Sequence, residues 1–194
     1  MEAKMGLYKH VKDTWKSQGL DFLQMHRKRL AEWRDQNATV RIDKPTRIDK
    51  ARSLGYRAKL GVIIVRQRVD RGGRQRPSIR SGRRTAHNYQ QKNLNKNYQQ
   101  IAEERANANF KNCEVLNSYF VGQDAICKWY EVILLDRDHP AILADPVYKN
   151  VVSTKGRAYR GITSAGRQSR GLRNKGLGAE KIRPGVKAND GHSN

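Results

Sequence analysis

In CEVLNSYFVGQDAICKWYEVILLD, residues 113–136, two runs rich in Val, Ile, Leu, Tyr, Phe and Trp flank Gly122-Gln123-Asp124. β-Branched and aromatic side chains suit a half-buried pleated surface, and the three residues between them suit a tight reversal. The stretch therefore reads as a β-hairpin with strands at 114–121 and 125–135. Cys113 and Cys127 lie in strand-like sequence without a C-x-x-C pair and read as reduced, half-buried thiols. For Tyr119, Phe120, Trp129 and Tyr130, packing is favoured over base stacking.

Outward from the hairpin, GVIIVRQRV (61–69) is a strand by composition, with Val65, Gln67 and Val69 on one face and Arg66 and Arg68 on the other. Residues 94–108 have helical spacing through Leu94, Tyr98, Ile101, Ala102 and Arg105, and Glu103-Glu104-Arg105 reads as a solvent-facing segment with local charge pairing. Leu7, Val11 and Trp15 mark an N-terminal helix. Asp21 is the expected cap of a second, with Phe22, His26, Leu30 and Trp33 along one face. Pro45 enforces extended backbone, and Asp49 caps a short helical turn that Gly55 ends. His139-Pro140 opens a short helix that Pro146 stops. The fold class that results is α+β, with a small, mostly antiparallel sheet, packed helices and long basic extensions. The expected organisation is an N-terminal helical segment at 1–40, a globular part at 41–152 with a basic loop at 71–90, and a Gly/Arg-rich extension at 153–194.

Charge separates these parts. The chain of 194 residues has 40 Lys and Arg against 18 Asp and Glu, a formal net charge of +22. Such an excess repels itself unless a polyanion neutralises it. No long apolar run or lipid-ready amphipathic helix points to a membrane, and MEAKMGLYKH lacks the apolar core of a signal peptide. Residues 41–84 have 15 basic and 3 acidic residues, 101–148 have 4 and 8, and 153–194 have 10 and 2. An acidic, apolar-rich segment thus lies between two basic ones, the asymmetry expected where one part folds and another touches phosphate.

In GRAYRGITSAGRQSRGLRNKG (156–176) a glycine recurs at every fifth position, among Arg157, Arg160, Arg167, Arg170, Arg173 and Lys175. The period is neither collagen's nor a solenoid's. Gly171 and Gly176 have P-loop spacing, but Leu177 stands where the lysine is required. Glycine permits close approach, and arginine presents a planar donor fork to phosphates and bases. The expectation is an extended strip along a folded polyanion, ordered when bound. A flexible basic tail is the plain alternative, against which Ile162, Ala165 and Leu172 argue. The 71–84 loop has six arginines, Arg83 and Arg84 among them, and no lysine, a preference that suits RNA recognition.

Catalysis finds little support. Asp136, Asp138 and His139 could in principle hold Mg²⁺, but carboxylates at i and i+2 before His-Pro are what a turn needs, and no second acidic cluster completes a ligand set. The five histidines are scattered, so no zinc set assembles by spacing. No enzyme, cofactor or metal site is expected. GVIIVRQRV also fails to supply the aromatic-studded strand of an RNA-recognition motif. A DNA-compacting architectural protein is the alternative to an RNA-binding one.

Long ordered runs sharpen the choice. YKHVKDTWK, PTRIDKARSLGYRAKLGVIIVRQRVDRGGRQRP, AEERANANFKNCEVLNSYFVGQDAICKWYEVILLDRDHPAI and RGITSAGRQSRGL resemble the e-type large-subunit ribosomal protein fifteen family of archaea and eukaryotes, over roughly residues 6 to 185. The ending near HSN looks like the archaeal branch. The resemblance implies a structural, non-catalytic protein of the cytoplasmic ribosome, a small α+β unit with extensions embedded in RNA. Its implied partners are large-subunit rRNA and neighbouring ribosomal proteins, with no membrane and no small-molecule substrate. The matching positions implied to touch rRNA are Arg47, Lys50, Arg52, Tyr56, Arg57 and Lys59, then Arg71, Arg74 and Arg76, and in the tail Arg160, Arg167 and Arg170. The arginine-rich composition adds Arg83, Arg84, Arg157 and Arg173.

Overall fold

The structure, a computed structural model, describes residues 6–75, 93–180 and 182. Its elements in chain order are α1 (Leu7–Ser17), α2 (Leu20–Asp35), β1 (Thr39–Ile42), α3 (Ile48–Ser53), β2 (Val62–Asp70) and α4 (Tyr98–Asn109). Then come β3 (Cys113–Gln123), β4 (Cys127–Asp136), α5 (Pro140–Leu143), α6 (Pro146–Val152) and α7 (Ser164–Ser169).

The hairpin forms the heart of a four-stranded antiparallel sheet in the order β1-β2-β4-β3. β4 is central, and its alternation divides the core. Trp129 and Ile133, with Tyr119, Val121 and Ile64, meet Leu30 and Trp33 of α2 and Ala51 of α3. On the opposite face, Val132 and Leu134 meet Val65, Val115 and Ala106 of α4, together with Ala158. Ala102 and Ala106 are fully buried. Having only a methyl group each, they bring the α4 backbone close to the sheet. Leu135 continues into a cluster with Ile142, Tyr148 and Val152 of α5 and α6. Helices thus cover both faces of the sheet.

Several local readings change. The turn is not at Gly122: that glycine lies in β3 next to a bulge, where an added Cβ would sit 3.0 Å from the His26 ring and from Leu30. The reversal is made instead by Asp124, whose Oδ1 accepts the N–H groups of Ile126 and Cys127. Gly19, not Asp21, caps α2, and Asp21 falls in its first turn. Pro146 starts α6 rather than stopping α5, because the Asp145 side chain caps Val147 N–H and proline suits the first helical turn. β1, unmarked in the sequence, is the second partner of β2. Gly55, at φ +97°, does end α3.

Residues 156–180 also depart from an extended strip. They fold as turns around α7, capped by Thr163, with Ala158, Thr163, Ala165 and Ala179 buried. The five-residue glycine period has an internal cause here. Gly161 has φ +66°, and a Cβ on Gly166 would lie 2.5 Å from the Gly161 Cα. Two turns of chain therefore touch where neither can have a side chain. We call this region the C-terminal lobe.

The start of the basic loop is fastened as well. Tyr98, the first residue of α4, donates its hydroxyl to Gly72 O at 2.8 Å and accepts Gly72 N–H at 2.9 Å. Lys128 Nζ lies 5.0 Å from the centroid of the same ring.

Candidate nucleic-acid interface

Four of the eight acidic residues of 101–148, Glu103, Glu114, Glu131 and Asp145, are buried. Glu103 is fully buried, not solvent-facing; it accepts hydrogen bonds from the hydroxyls of Ser118 on β3 and Thr163 in the lobe. Glu114, 4% exposed, accepts Gly156 N–H at 2.8 Å and Arg157 N–H at 3.3 Å. Glu131, fully buried on the other face, accepts the Tyr119 hydroxyl and, at 3.1 Å, the N–H of Thr46, just before α3. Asp145 accepts Lys59 Nζ at 2.8 Å and Arg57 Nη1 at 3.3 Å. Each carboxylate thus fastens one stretch of the basic sequence: Glu131 and Glu114 to the sheet, Glu103 to α4 and Asp145 to the start of α6.

Burial raises the pKa of Glu103 and Glu131 above the ordinary carboxylate value, and their hydrogen bonds oppose the rise. Asp145 moves the other way, chiefly through the Lys59 hydrogen bond. Burial lowers the Arg157 guanidinium, whose Nε donates to Val115 O at 3.2 Å, with Glu114 the leading opposing charge. A buried unpaired charge is expensive, so these acids are stable inside only because donors from the basic segments reach them.

With the acids turned inward, the basic side chains fall into separate groups. On α3, Lys50 is exposed, Arg52 is exposed with its guanidinium 5.7 Å from the Tyr8 ring, and Arg47 is half-buried, 4.7 Å over Trp15 and paired with Asp49 at 3.3 Å. Tyr56 is a core residue beside them, 8% exposed. Arg57 and Lys59 ride on Asp145. Arg71 lies at the hairpin tip, donating to Asp124 O at 2.7 Å, and Arg74 is exposed. On the lobe, Arg160, Arg167 and Arg173 are exposed, whereas Arg157 and Arg170 are half-buried, Arg170 Nη1 donating to Gly161 O at 3.1 Å. Arg76, Arg83 and Arg84 lie outside the described residues. The α3 group and the lobe group sit on opposite faces of the sheet. They form two surfaces, not one.

Sequence reading missed the carboxylate anchors. A signal existed: Glu131 interrupts KWYEVILLD, and an acid in the middle of an apolar strand needs a partner. Asp136 and His139 take up structural work, Asp136 Oδ1 accepting Asp138 N–H and His139 Nδ1 capping α5 through Ala141 N–H. Among the described residues no group of three or more His, Cys, Asp or Glu side chains could hold a metal ion, and no helix is long and apolar enough to cross a membrane.

A small sheet covered on both faces by helices, with buried carboxylates that hold its flanking segments, defines an α+β protein. The chain belongs to the ribosomal L15 family (the L15e type), whose model matches residues 6–189. It is 49% identical over 189 residues to the large ribosomal subunit protein eL15 of Picrophilus torridus, covering 94% of this chain and 95% of that one. It is 50% identical over 182 residues to the eL15 of Methanocorpusculum labreanum, covering 93% and 94% respectively. The family is one of structural ribosomal proteins rather than of enzymes.

Proposed function

We propose that this protein is a structural constituent of the large ribosomal subunit that binds and compacts large-subunit rRNA through two basic surfaces, the α3 group and the C-terminal lobe. The observation that carries the reading is the inward fastening of Glu103, Glu114 and Glu131, which leaves cationic side chains facing outward on both sides of the sheet. Folded rRNA helices repel one another, and cations placed between them lower that repulsion while releasing counterions. Neutralising about ten phosphates gives a log K against log salt slope of roughly −7 to −9. Shape and backbone recognition are enough for structured RNA, so base-specific contacts are not required across the whole interface. Neighbouring ribosomal proteins complete the surroundings.

The test is sedimentation of a cell lysate on a sucrose gradient at moderate and then high salt, probing for this chain. Comigration with the large subunit that survives the salt wash supports the reading. A position at the top of the gradient, or with DNA, overturns it.

A further inference from the structure

Helix α1 has no buried residue, yet it packs against α3. A helix that encloses none of its side chains owes its place to the contacts of one face. On α1 that face has two rings. Tyr8 and Trp15 stand seven positions apart, two helical turns, and so share a side. Each has a guanidinium of the α3 segment over it, Arg52 at 5.7 Å from the Tyr8 centroid and Arg47 at 4.7 Å from that of Trp15.

The two arginines are held differently. Arg47 is half-buried and paired with Asp49 at 3.3 Å, and Trp15 packs against the core cluster and edge-on against Phe22. That pair belongs to the margin of the core. Arg52 is exposed, and no carboxylate among the described residues pairs with it. The Tyr8 ring beneath it is itself 43% exposed, and replacing it disturbs no core cluster. A surface arginine without such support samples many rotamers, and binding an anion must freeze them. A ring under the guanidinium restricts that freedom beforehand. It covers one face of the plane and leaves the five N–H donors, which lie in the plane, directed past the ring edge. A phosphate then meets a fork that is already oriented.

Resting on the proposed rRNA-binding function, we infer that Tyr8 is a positioning residue of the rRNA interface: its ring holds the Arg52 guanidinium flat against α1, so that the in-plane donors present a fixed fork to an rRNA phosphate. Tyr8 supplies orientation and Arg52 supplies charge. Loss of the ring therefore changes affinity without changing the number of counterions released.

The test is a salt titration of large-subunit rRNA binding by the full chain, run as a mutant cycle of wild type, Tyr8→Leu, Arg52→Ala and the double variant, with Tyr8→Phe and Arg52→Lys beside them. Tyr8→Leu is expected to weaken binding about two- to fivefold at every salt concentration, with the slope of log K against log salt unchanged. Tyr8→Phe keeps the ring and retains the wild-type affinity. Arg52→Lys keeps the charge, loses the planar fork, and weakens binding at the wild-type slope as Tyr8→Leu does. In the Arg52→Ala background Tyr8→Leu has no further effect, as required of a residue that acts through another. Wild-type affinity in Tyr8→Leu, or an equal loss with and without Arg52, overturns the positioning role and leaves the rRNA reading intact. Wild-type protein that does not bind the rRNA overturns both.

Discussion

Residues 101–148 and 153–180 look like opposites in the sequence, the first acidic and apolar, the second glycine-rich and basic. In the fold they form one unit. Glu103 and Glu114 of the acidic segment take hydrogen bonds from Thr163, Gly156 and Arg157, and Ala158 enters the same core cluster as Val115 and Val132. The comparison teaches that net charge along a chain does not divide it into folded and unfolded parts. Acids on α4 and β3 accept the donors of the basic segment, and these bonds join the lobe to the sheet.

The largest expected effect breaks both regions together. Trp129→Ala removes a side chain that is 1% exposed, near the start of β4, and should cost about 3–5 kcal/mol. A single thermal transition, shifted down by roughly 2–4 °C for each kcal/mol, is the expected result. Separate melting of the sheet and the lobe would contradict their unity.

Glu103 separates the two regions. Glu103→Ala leaves the Ser118 and Thr163 hydroxyls facing a void and should cost about 3 kcal/mol, released first in the lobe. Amide exchange across 156–174 should accelerate while β3 and β4 stay protected. pH sharpens the point. Burial raises the folded-state pKa of Glu103 above its usual 4.5, so the folded state gains stability as pH falls from the raised value toward 4.5 and loses it as pH rises through that interval. Asp145 is depressed from 3.8, so its contribution is present above that value and is lost as pH falls through the depressed one. Glu103→Gln should remove the first dependence and spare the second, as measured by exchange in the lobe and around α6 over a pH series.

A smaller effect tests the glycine contact. Gly166→Ala forces a methyl group against the Gly161 backbone and should cost about 2 kcal/mol, whereas Gly176→Ala meets no atom within 4 Å and is penalised only by its φ of +87°. Near-equal melting shifts for the two would show that the lobe is not packed there.

The smallest concerns the exposed ion pairs. Arg57 and Lys59 side chains are 59% and 39% exposed, so Arg57→Ala with Lys59→Ala should change stability by no more than about 1 kcal/mol. If these cations reach phosphate in the complex, the slope of log K against log salt should become shallower by about 1 to 2.

Much of this fold was legible because β3, β4 and β2 have continuous β-branched and aromatic runs, and their period is independent of distant partners. β1 escaped notice because four residues, TVRI, form a strand only when β2 supplies the ladder. Pro146 was legible as a breaker but not as the first residue of a new helix, which depends on the Asp145 cap one position earlier. The basic character of the candidate interface was plain from composition. Its partition into two faces was not, since that rests on carboxylates whose partners lie 42 to 85 residues away, as for Glu114 and Gly156 or Glu131 and Thr46. Tyr56, which the family resemblance implied as an rRNA contact, has the burial of a core residue, because the chain after α3 turns its ring inward at Gly55.

The clasp between Tyr98 and Gly72 has a consequence for how such a chain can vary. It brings the end of β2 and the start of α4 together across 26 positions, with both hydrogen bonds made by groups outside 76–92. Both bonds depend on one phenol oxygen, so Tyr98→Phe deletes the whole clasp in a single atom and lets the end of β2 drift from the start of α4. The junction is thus a one-atom hinge pin.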